Sequence, residues 1–419
     1  MPLTRDTTGA ASLGGVSLPS LLAAGLPTPA YVYDVDAIVD EARDMARGFG
    51  PRDFLICFAV KANSAGRILK KLAAEGVGAD VVSLGEMRVA LGAGVPPERI
   101  VWSGVAKRDD EIDAALAAGI LSIHAESVEE LRRVEARARA LGAEARVSLR
   151  INPAVEADTH AHIATGHDEA KFGVPLGDVP GAIELARNSQ HLRLVGLSAH
   201  IGSQMTSVDA YVAAVDVLGS LASDLAGRGA PLSLLDLGGG FGIDYGAGCP
   251  VRPADFLREA CALLDARRLP PTRLLCEPGR SLVAAHGVLV SRVIQAKRWS
   301  RPDSRGWVFL DAGMNDLLRP ALYGARHRIE PLTLDPSAPL APWKVGGPVC
   351  ESSDDFGLYD LPSEPPPAVL IRDAGAYGYT MASRYNGRGM PAEVFVENGA
   401  VAAISKADDV DSWVAGRLA

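Results

Sequence analysis

Four short stretches of this chain hold residue types that could do chemistry together: AVKAN with Lys61, HIGSQ with His200 and Ser203, GGGFG over 238–242, and EPGR with Glu277, Gly279 and Arg280. A lysine amine withdrawn from water loses its proton more readily and can then condense with an aldehyde. A run such as Gly238, Gly239 and Gly240 lets backbone N–H groups come close to an anion such as phosphate. A glutamate beside a ring nitrogen keeps that nitrogen protonated. Each stretch also has an ordinary reading, because lysines usually carry their ammonium out to solvent and glycine clusters are more often tight turns. The question is whether one fold brings all four to the same place.

At 419 residues the chain exceeds one ordinary core, and a barrel of about 250 residues plus a second domain is the expected division. From about residue 35, short apolar runs alternate with amphipathic stretches of helical period, the pattern of a parallel sheet wrapped by helices. Strands are predicted at 54–62, 79–83, 99–104, 121–124, 146–152, 194–201, 232–238 and 273–277. Helices lie between them, such as 127–141, whose SVEE opening sets Ser127 and Glu130 at capping-box spacing. Eight such units close an α/β fold of the TIM, or (β/α)8, type. After about residue 284 the runs GVLVSRVIQAKRW, GWVFLDAG, PAVLIRDAG and PAEVFVENG, broken by turns such as SEPPP, predict an all-β second domain of Greek-key or barrel-like form.

In such a barrel the loops after the strands converge over one mouth, and phosphate sites commonly follow the seventh and eighth strands. The four stretches end the first, sixth, seventh and eighth predicted strands, so all fall at one rim. A phosphorylated aldehyde whose ring nitrogen is kept cationic by Glu277 is an electron sink of the kind decarboxylation needs. Pyridoxal 5'-phosphate has those properties.

Composition narrows the partners. The formal net charge of −9, with no basic cluster, points away from nucleic acid and anionic membranes and toward a small metabolite. Cys57, Cys249, Cys261, Cys276 and Cys350 are widely spaced without a CxxC pair, so no disulfide framework or zinc ribbon is expected and a reducing cytoplasm is. The first four are expected to be small buried hydrophobes. The opening MPLTRDTTGAASLGG has no apolar core, and no segment runs 18 apolar residues, so nothing is expected to export or anchor the chain. His160, His162 and His167 make an HxHxxxxH pattern without an accompanying ligand set, and no metal is expected.

With these residues placed, the sequence resembles the fold type III pyridoxal-phosphate-dependent decarboxylases, and within them the diaminopimelate decarboxylases. The resemblance runs nearly end to end through FAVKAN (58–63), GADVVSLGE (78–86), RINP (150–153), THAHIATG (159–166), KFG (171–173), HIGSQ (200–204), LDLGGGFG (235–242), EPGR (277–280), RPALYG (319–324), CESSD (350–354) and AGAYGYTMAS (374–383). It implies a cofactor-binding barrel over 35–283 and a β domain made from 1–34 plus 284–419. It also implies that Lys61 carries the cofactor covalently, that His200 stacks on its ring and that Glu277 pairs with the ring nitrogen. Asp80, Ser203, Gly239, Gly240, Gly279, Arg280 and Tyr377 are implied to complete the cofactor site. Arg280, Arg319, Tyr323, Glu351 and Tyr377 are implied to hold the substrate, and Cys350 to return a proton to the substrate carbon after carbon dioxide leaves. In this family Cys350 and Glu351 reach the neighbouring subunit's cofactor, so a homodimer with shared sites is implied.

The expected reaction is decarboxylation of meso-2,6-diaminopimelate to L-lysine. That substrate has an amino-acid group at each end, so the pocket must hold one carboxylate while the other is cleaved. Arginine's planar fork suits this, and Arg280 and Arg319 are the candidates, with Glu351 for the distal ammonium. A lysine, ornithine or arginine decarboxylase would leave two buried guanidinium groups unpaired, at a cost of about 2–5 kcal/mol. On local sequence alone Arg319 could equally be a structural ion-pair residue, and Tyr377 a strand aromatic. Departures from the family pattern are SLGE where a second glycine is usual, Ser353 in CESSD where glycine is usual, and His162 where an aromatic is commoner. Other readings of the same fold are a decarboxylase of D-ornithine, D-lysine or carboxynorspermidine, an amino-acid racemase, and a catalytically silent regulator. The CES motif speaks against the racemase, and intact Lys61, His200, Glu277 and Cys350 against the regulator.

Overall fold

The computed structural model describes residues 3–155, 171–249, 251–298 and 306–419. The chain divides into two compact units, one of Glu41–Ile243 with Cys249–Leu282, the other of Met1–Asp40, Asp244–Gly248 and Val283–Ala419.

The first unit is a closed barrel of eight parallel strands: Phe54–Ala59, Gly78–Val81, Ile100–Trp102, Ser122–Ala125, Ala145–Asn152, Leu192–Ser198, Leu234–Asp236 and Arg273–Cys276. The ring closes where Leu274 of the eighth strand lies opposite Phe54 of the first. All eight predicted strands are present, and the differences are at their ends. The first strand stops at Ala59, and Lys61 stands in a 3-10 turn, Val60–Ala62, rather than in the strand.

Caps and apolar stripes place the helices. Val128–Leu141 starts where the Ser127 hydroxyl accepts the Glu130 N–H, turns Leu131, Val134 and Ala138 inward, and ends at Gly142 with φ of 62°. The predicted capping box is only half made, because the Glu130 carboxylate accepts instead from the Glu126 N–H and from Lys107. Helix Asp209–Gly227 is long and apolar enough by composition to cross a membrane. Here it buries Tyr211, Val215, Leu218, Ala222 and Leu225, while Asp216 pairs with Arg267.

The second unit is built on a long central strand, Gly287–Lys297, paired antiparallel with Ala30–Asp34, Ala368–Ile371 and Gly306–Leu310. Ala30–Asp34 also pairs in parallel with Ala392–Glu397, so an N-terminal segment forms an interior strand of this sheet. Val32, Val288, Val290, Leu370, Val394 and Val396 from these strands share one buried core. Leu340–Gly346 and Asp355–Pro362 pair as a further hairpin that periodicity did not indicate, because Pro342, Gly346 and Gly357 interrupt the alternation. Three short helices, Leu18–Ala23, Arg319–Tyr323 and Val410–Leu418, belong to this unit, so it is mainly rather than wholly β.

Candidate active site

Strand pleat explains how polar groups enter the barrel. Leu55, Cys57, Val101, Val195, Leu234 and Leu275 form a buried apolar cluster. Side chains two apart share a face of a strand, so Ser103, Asp236 and Glu277 continue the faces begun by Val101, Leu234 and Leu275. His124 stands two residues after Ser122, whose hydroxyl meets that of Ser148 at 2.8 Å. The apolar layer therefore gives way to a polar one toward the strand ends.

Lys61 Nζ lies 2.7 Å from Asp80 Oδ2; the lysine side chain is 38% exposed and the aspartate fully buried. Its expected apolar setting is thus replaced by an anionic partner. Glu277 is buried and accepts a hydrogen bond from Ser103 Oγ at 2.9 Å, with His124 Nδ1 3.6 Å from the same oxygen. Burial, then the neighbouring Asp236 and Asp80 charges, pushes the Glu277 carboxyl well above the usual carboxylate range. Burial likewise pushes Asp236 up to about 7, although the Gly238 N–H donates to it at 2.9 Å. His124 is pulled down to about 3 by burial, so its ring is neutral.

His200 lies at the same rim, with Nδ1 4.0 Å from Glu277 Oε2. Burial holds its pKa well below that of a free imidazole. The Gly239 N–H donates to Nδ1 at 3.2 Å, which leaves the proton of the neutral ring on Nε2. Gly239, expected to bind cofactor, therefore acts on the site through His200. The glycine run is first a packing device: a Cβ on Gly238, Gly239 or Gly240 would lie 2.1, 2.0 or 2.1 Å from the carbonyl oxygens of Ala199, Glu277 and Gly202. Arg280 donates to Ser203 Oγ at 2.9 Å, bringing the EPGR and HIGSQ stretches together, and Gly279 accepts from the Leu282 N–H. Lys61, Asp80, His200, Ser203, Gly239, Gly240, Glu277, Gly279 and Arg280 thus belong to one barrel mouth.

Sequence reasoning did not single out Ser103, His124, Asp236, Glu126 or Arg150. Arg150 pairs with Glu126 at 2.8 Å, and Glu126 also accepts the N–H groups of Gly104 and Gly173, tying three loops of the rim together. The available signal was one or two polar residues within each otherwise apolar run, in VWSG, SIHA and LLDL. One ligand-type atom each from His124, Asp236 and Glu277 falls within 4.8 Å of the others, a grouping that Ser103 knits by hydrogen bonds. His160, His162 and His167 lie outside the described residues.

The remaining candidates belong to the second unit. Arg319 is buried, with Nη1 2.8 Å from His327 Nε2 and its guanidinium 4.9 Å from the centre of the Tyr245 ring. Arginine can only donate and the Arg372 carbonyl on Nδ1 can only accept, so His327 is neutral with its proton on Nδ1. Tyr323, half-buried, closes the helix that Arg319 opens. Cys350 is exposed and donates its N–H to Asn386 Oδ1 at 2.8 Å, while the exposed Glu351 carboxylate accepts from the Tyr385 hydroxyl. Asp354 shapes this loop by accepting the N–H groups of Val349 and Met314. The Ser353 hydroxyl meets Met314 Sδ at 3.6 Å. Tyr377 is half-buried in the left-handed region, with φ of 54°. Of the other cysteines, Cys57, Cys261 and Cys276 are buried as expected and Cys249 only partly so.

A family model described as pyridoxal-dependent decarboxylase, pyridoxal binding domain, matches residues 35–284. A diaminopimelate decarboxylase of Zymomonas mobilis is 42% identical over 403 residues, covering 94% of this chain and 94% of that protein. The crystal structure of diaminopimelate decarboxylase from Helicobacter pylori complexed with L-lysine matches at a TM-score of 0.88 and 38% identity, over 96% of this chain and 99% of that one. The enzyme from M. jannaschii in complex with L-lysine matches at a TM-score of 0.91 and 32% identity, over 99% of this chain and 97% of that one.

Proposed function

Because the chain belongs to the pyridoxal-dependent decarboxylase family, and within it to the diaminopimelate decarboxylases, we propose that it converts meso-2,6-diaminopimelate to L-lysine and carbon dioxide, the last step of lysine biosynthesis. The observation that carries this reading is the meeting at one barrel mouth of an accessible lysine amine, a neutral imidazole and a buried carboxyl, each from a different strand end.

These residues suit pyridoxal 5'-phosphate. Three carboxyls, Asp80, Asp236 and Glu277, gather in the buried layer, and Asp80 Oδ1 and Asp236 Oδ2 make no hydrogen bond there. A cationic ring nitrogen would meet charge compensation that water cannot reach. When bound, the cofactor supplies an electron sink for the electron pair left by the departing carboxylate. Lys61 holds the cofactor through its amine, with Asp80 orienting that amine. His200 offers its neutral ring for stacking, and Glu277 holds the proton on the ring nitrogen. Ser203, Gly240, Gly279, Arg280 and Tyr377 bind phosphate. Arg280 and Arg319 take the distal carboxylate by forked pairing, with Tyr323 beside them and Glu351 for the distal ammonium. Cys350 gives a proton to the substrate carbon. The exposed Cys350 and Glu351 loop suits a group lent to a second copy, so the working form is a homodimer with shared mouths, in the cytoplasm.

Carbon dioxide release by the purified, cofactor-loaded protein from meso-diaminopimelate, D-ornithine, D-lysine and carboxynorspermidine tests the substrate. Turnover is expected with meso-diaminopimelate, and its absence there overturns the assignment.

A further inference from the structure

The barrel interior holds a buried circuit that the roles above leave unused. Ser103 Oγ donates to Glu277 Oε1 at 2.9 Å and lies 3.2 Å from His124 Nδ1, while His124 Nε2 faces Asp236 Oδ2 at 3.9 Å. One ligand-type atom each from His124, Asp236 and Glu277 lies within 4.8 Å of the others, which brings the two carboxyls together and closes the ring. All four residues are buried. Two carboxyls held this close in a buried site favour holding one proton between them over carrying two like charges.

Proton counting then restricts the circuit to two states. A serine hydroxyl has one proton, so while Ser103 donates to Glu277 it must accept from His124 Nδ1–H. His124 Nε2 is then a bare acceptor turned toward Asp236. His124 Nε2 and Asp236 Oδ2 make no hydrogen bond of their own and face each other at 3.9 Å, so a proton on Oδ2 has the bare Nε2 as its acceptor. A proton on Glu277 reverses the order, with Glu277 donating to Ser103, Ser103 to Nδ1, and Nε2–H turned toward Asp236.

Charge decides between the two. Asp80, Lys61 and Arg150 act on Glu277, and Asp80 and Arg150 on Asp236 as well. Asp80, Lys107 and Arg150 act on His124, which burial keeps neutral, His200 is neutral, and burial keeps the Cys57 and Cys276 thiols protonated. A cation placed against Glu277 favours the state in which Glu277 is the anion.

We propose that Asp236 stores the proton of this pair, and that Ser103 and His124 are positioning residues that keep it there, leaving Glu277 as the anion that meets the cofactor's ring nitrogen. This rests on the decarboxylase reading. One O–H bond breaks at Glu277 and one forms at Asp236 Oδ2, with no redox change and no exchange with solvent.

Infrared spectroscopy of the loaded enzyme, with aspartate or glutamate carboxyls labelled with carbon-13, reads the position of the proton. The expected result at neutral pH is a protonated-carboxyl stretch that moves with the aspartate label and is missing in Asp236→Asn. A stretch that follows the glutamate label and vanishes in Glu277→Gln, or no such stretch, overturns the proposal. Ser103→Ala cuts the circuit at its smallest link. With the cofactor labelled with nitrogen-15 in its ring, the pH at which that nitrogen loses its proton should fall by about one unit, the size expected for one lost hydrogen bond to a charged group, and Ser103→Thr should bring it back. An unmoved pH in Ser103→Ala overturns the positioning role. Failure of the wild-type protein to take up the cofactor, seen by absorbance, overturns the decarboxylase reading itself, so the two failures are distinct.

Discussion

Lys61 meets a carboxylate, not an apolar wall, and that pairing fixes where the amine stands before any ligand arrives. Removing the amine as Lys61→Ala should abolish the borohydride-trapped cofactor adduct, measured as intact mass; an adduct that persists contradicts its role. Cys350→Ala should keep the cofactor's absorbance while turnover slows by about 10²–10⁴-fold, the range for a positioned acid. Unchanged turnover would mean that another group donates the proton. Lys61, His200 and Glu277 were legible because each sits in a short string whose neighbours betray a strand end. Ser103, His124 and Asp236 were not, since a single polar letter in an apolar strand does not say which way it faces until the barrel closes around it.

Between elements, the glycines of the seventh strand's loop are among the closest fits. Gly239→Ala would press a methyl against the Glu277 carbonyl and is expected to destabilise the protein by about 1–3 kcal/mol or more, read by urea denaturation. In the other unit Tyr33 donates to Glu393 Oε1 at 3.1 Å, on the strand Ala392–Glu397. Burial pushes Glu393 from 4.5 to about 7. Its folded pKa is the higher one, so its contribution to stability is whole below the unfolded value and is lost as pH rises through about 7. The drop in melting temperature from pH 5 to pH 8 should therefore be smaller in Glu393→Gln than in the wild type; an equal drop would show that Glu393 does not titrate with folding. Barrel strands were readable from sequence because buried parallel strands are unbroken apolar runs. The hairpin of Leu340–Gly346 and Asp355–Pro362 was not, because its proline and glycines mask the period of two.

For the whole molecule, the proposed sharing of mouths between two subunits makes a prediction that no single subunit can satisfy. Mixed Lys61→Ala and Cys350→Ala proteins, each inactive or slow alone, should regain activity as hybrids, because one mouth of each hybrid has both groups; no gain on subunit exchange would argue for mouths that are complete within one chain. The two-part architecture was legible because the alternation of strand and helix stops near residue 284, whereas the contribution of the N-terminal segment rested on resemblance alone: nothing in AYVYD says what it pairs with. Its place in the sheet governs how the protein is born. On the ribosome, Ala30–Asp34 emerges early, yet its partners Gly287–Lys297 and Ala392–Glu397 are translated only after the barrel sequence is complete. Until then a strand buried at every position in the finished fold has no ladder to join, so nascent chains stalled within the barrel should be the species that engage chaperones.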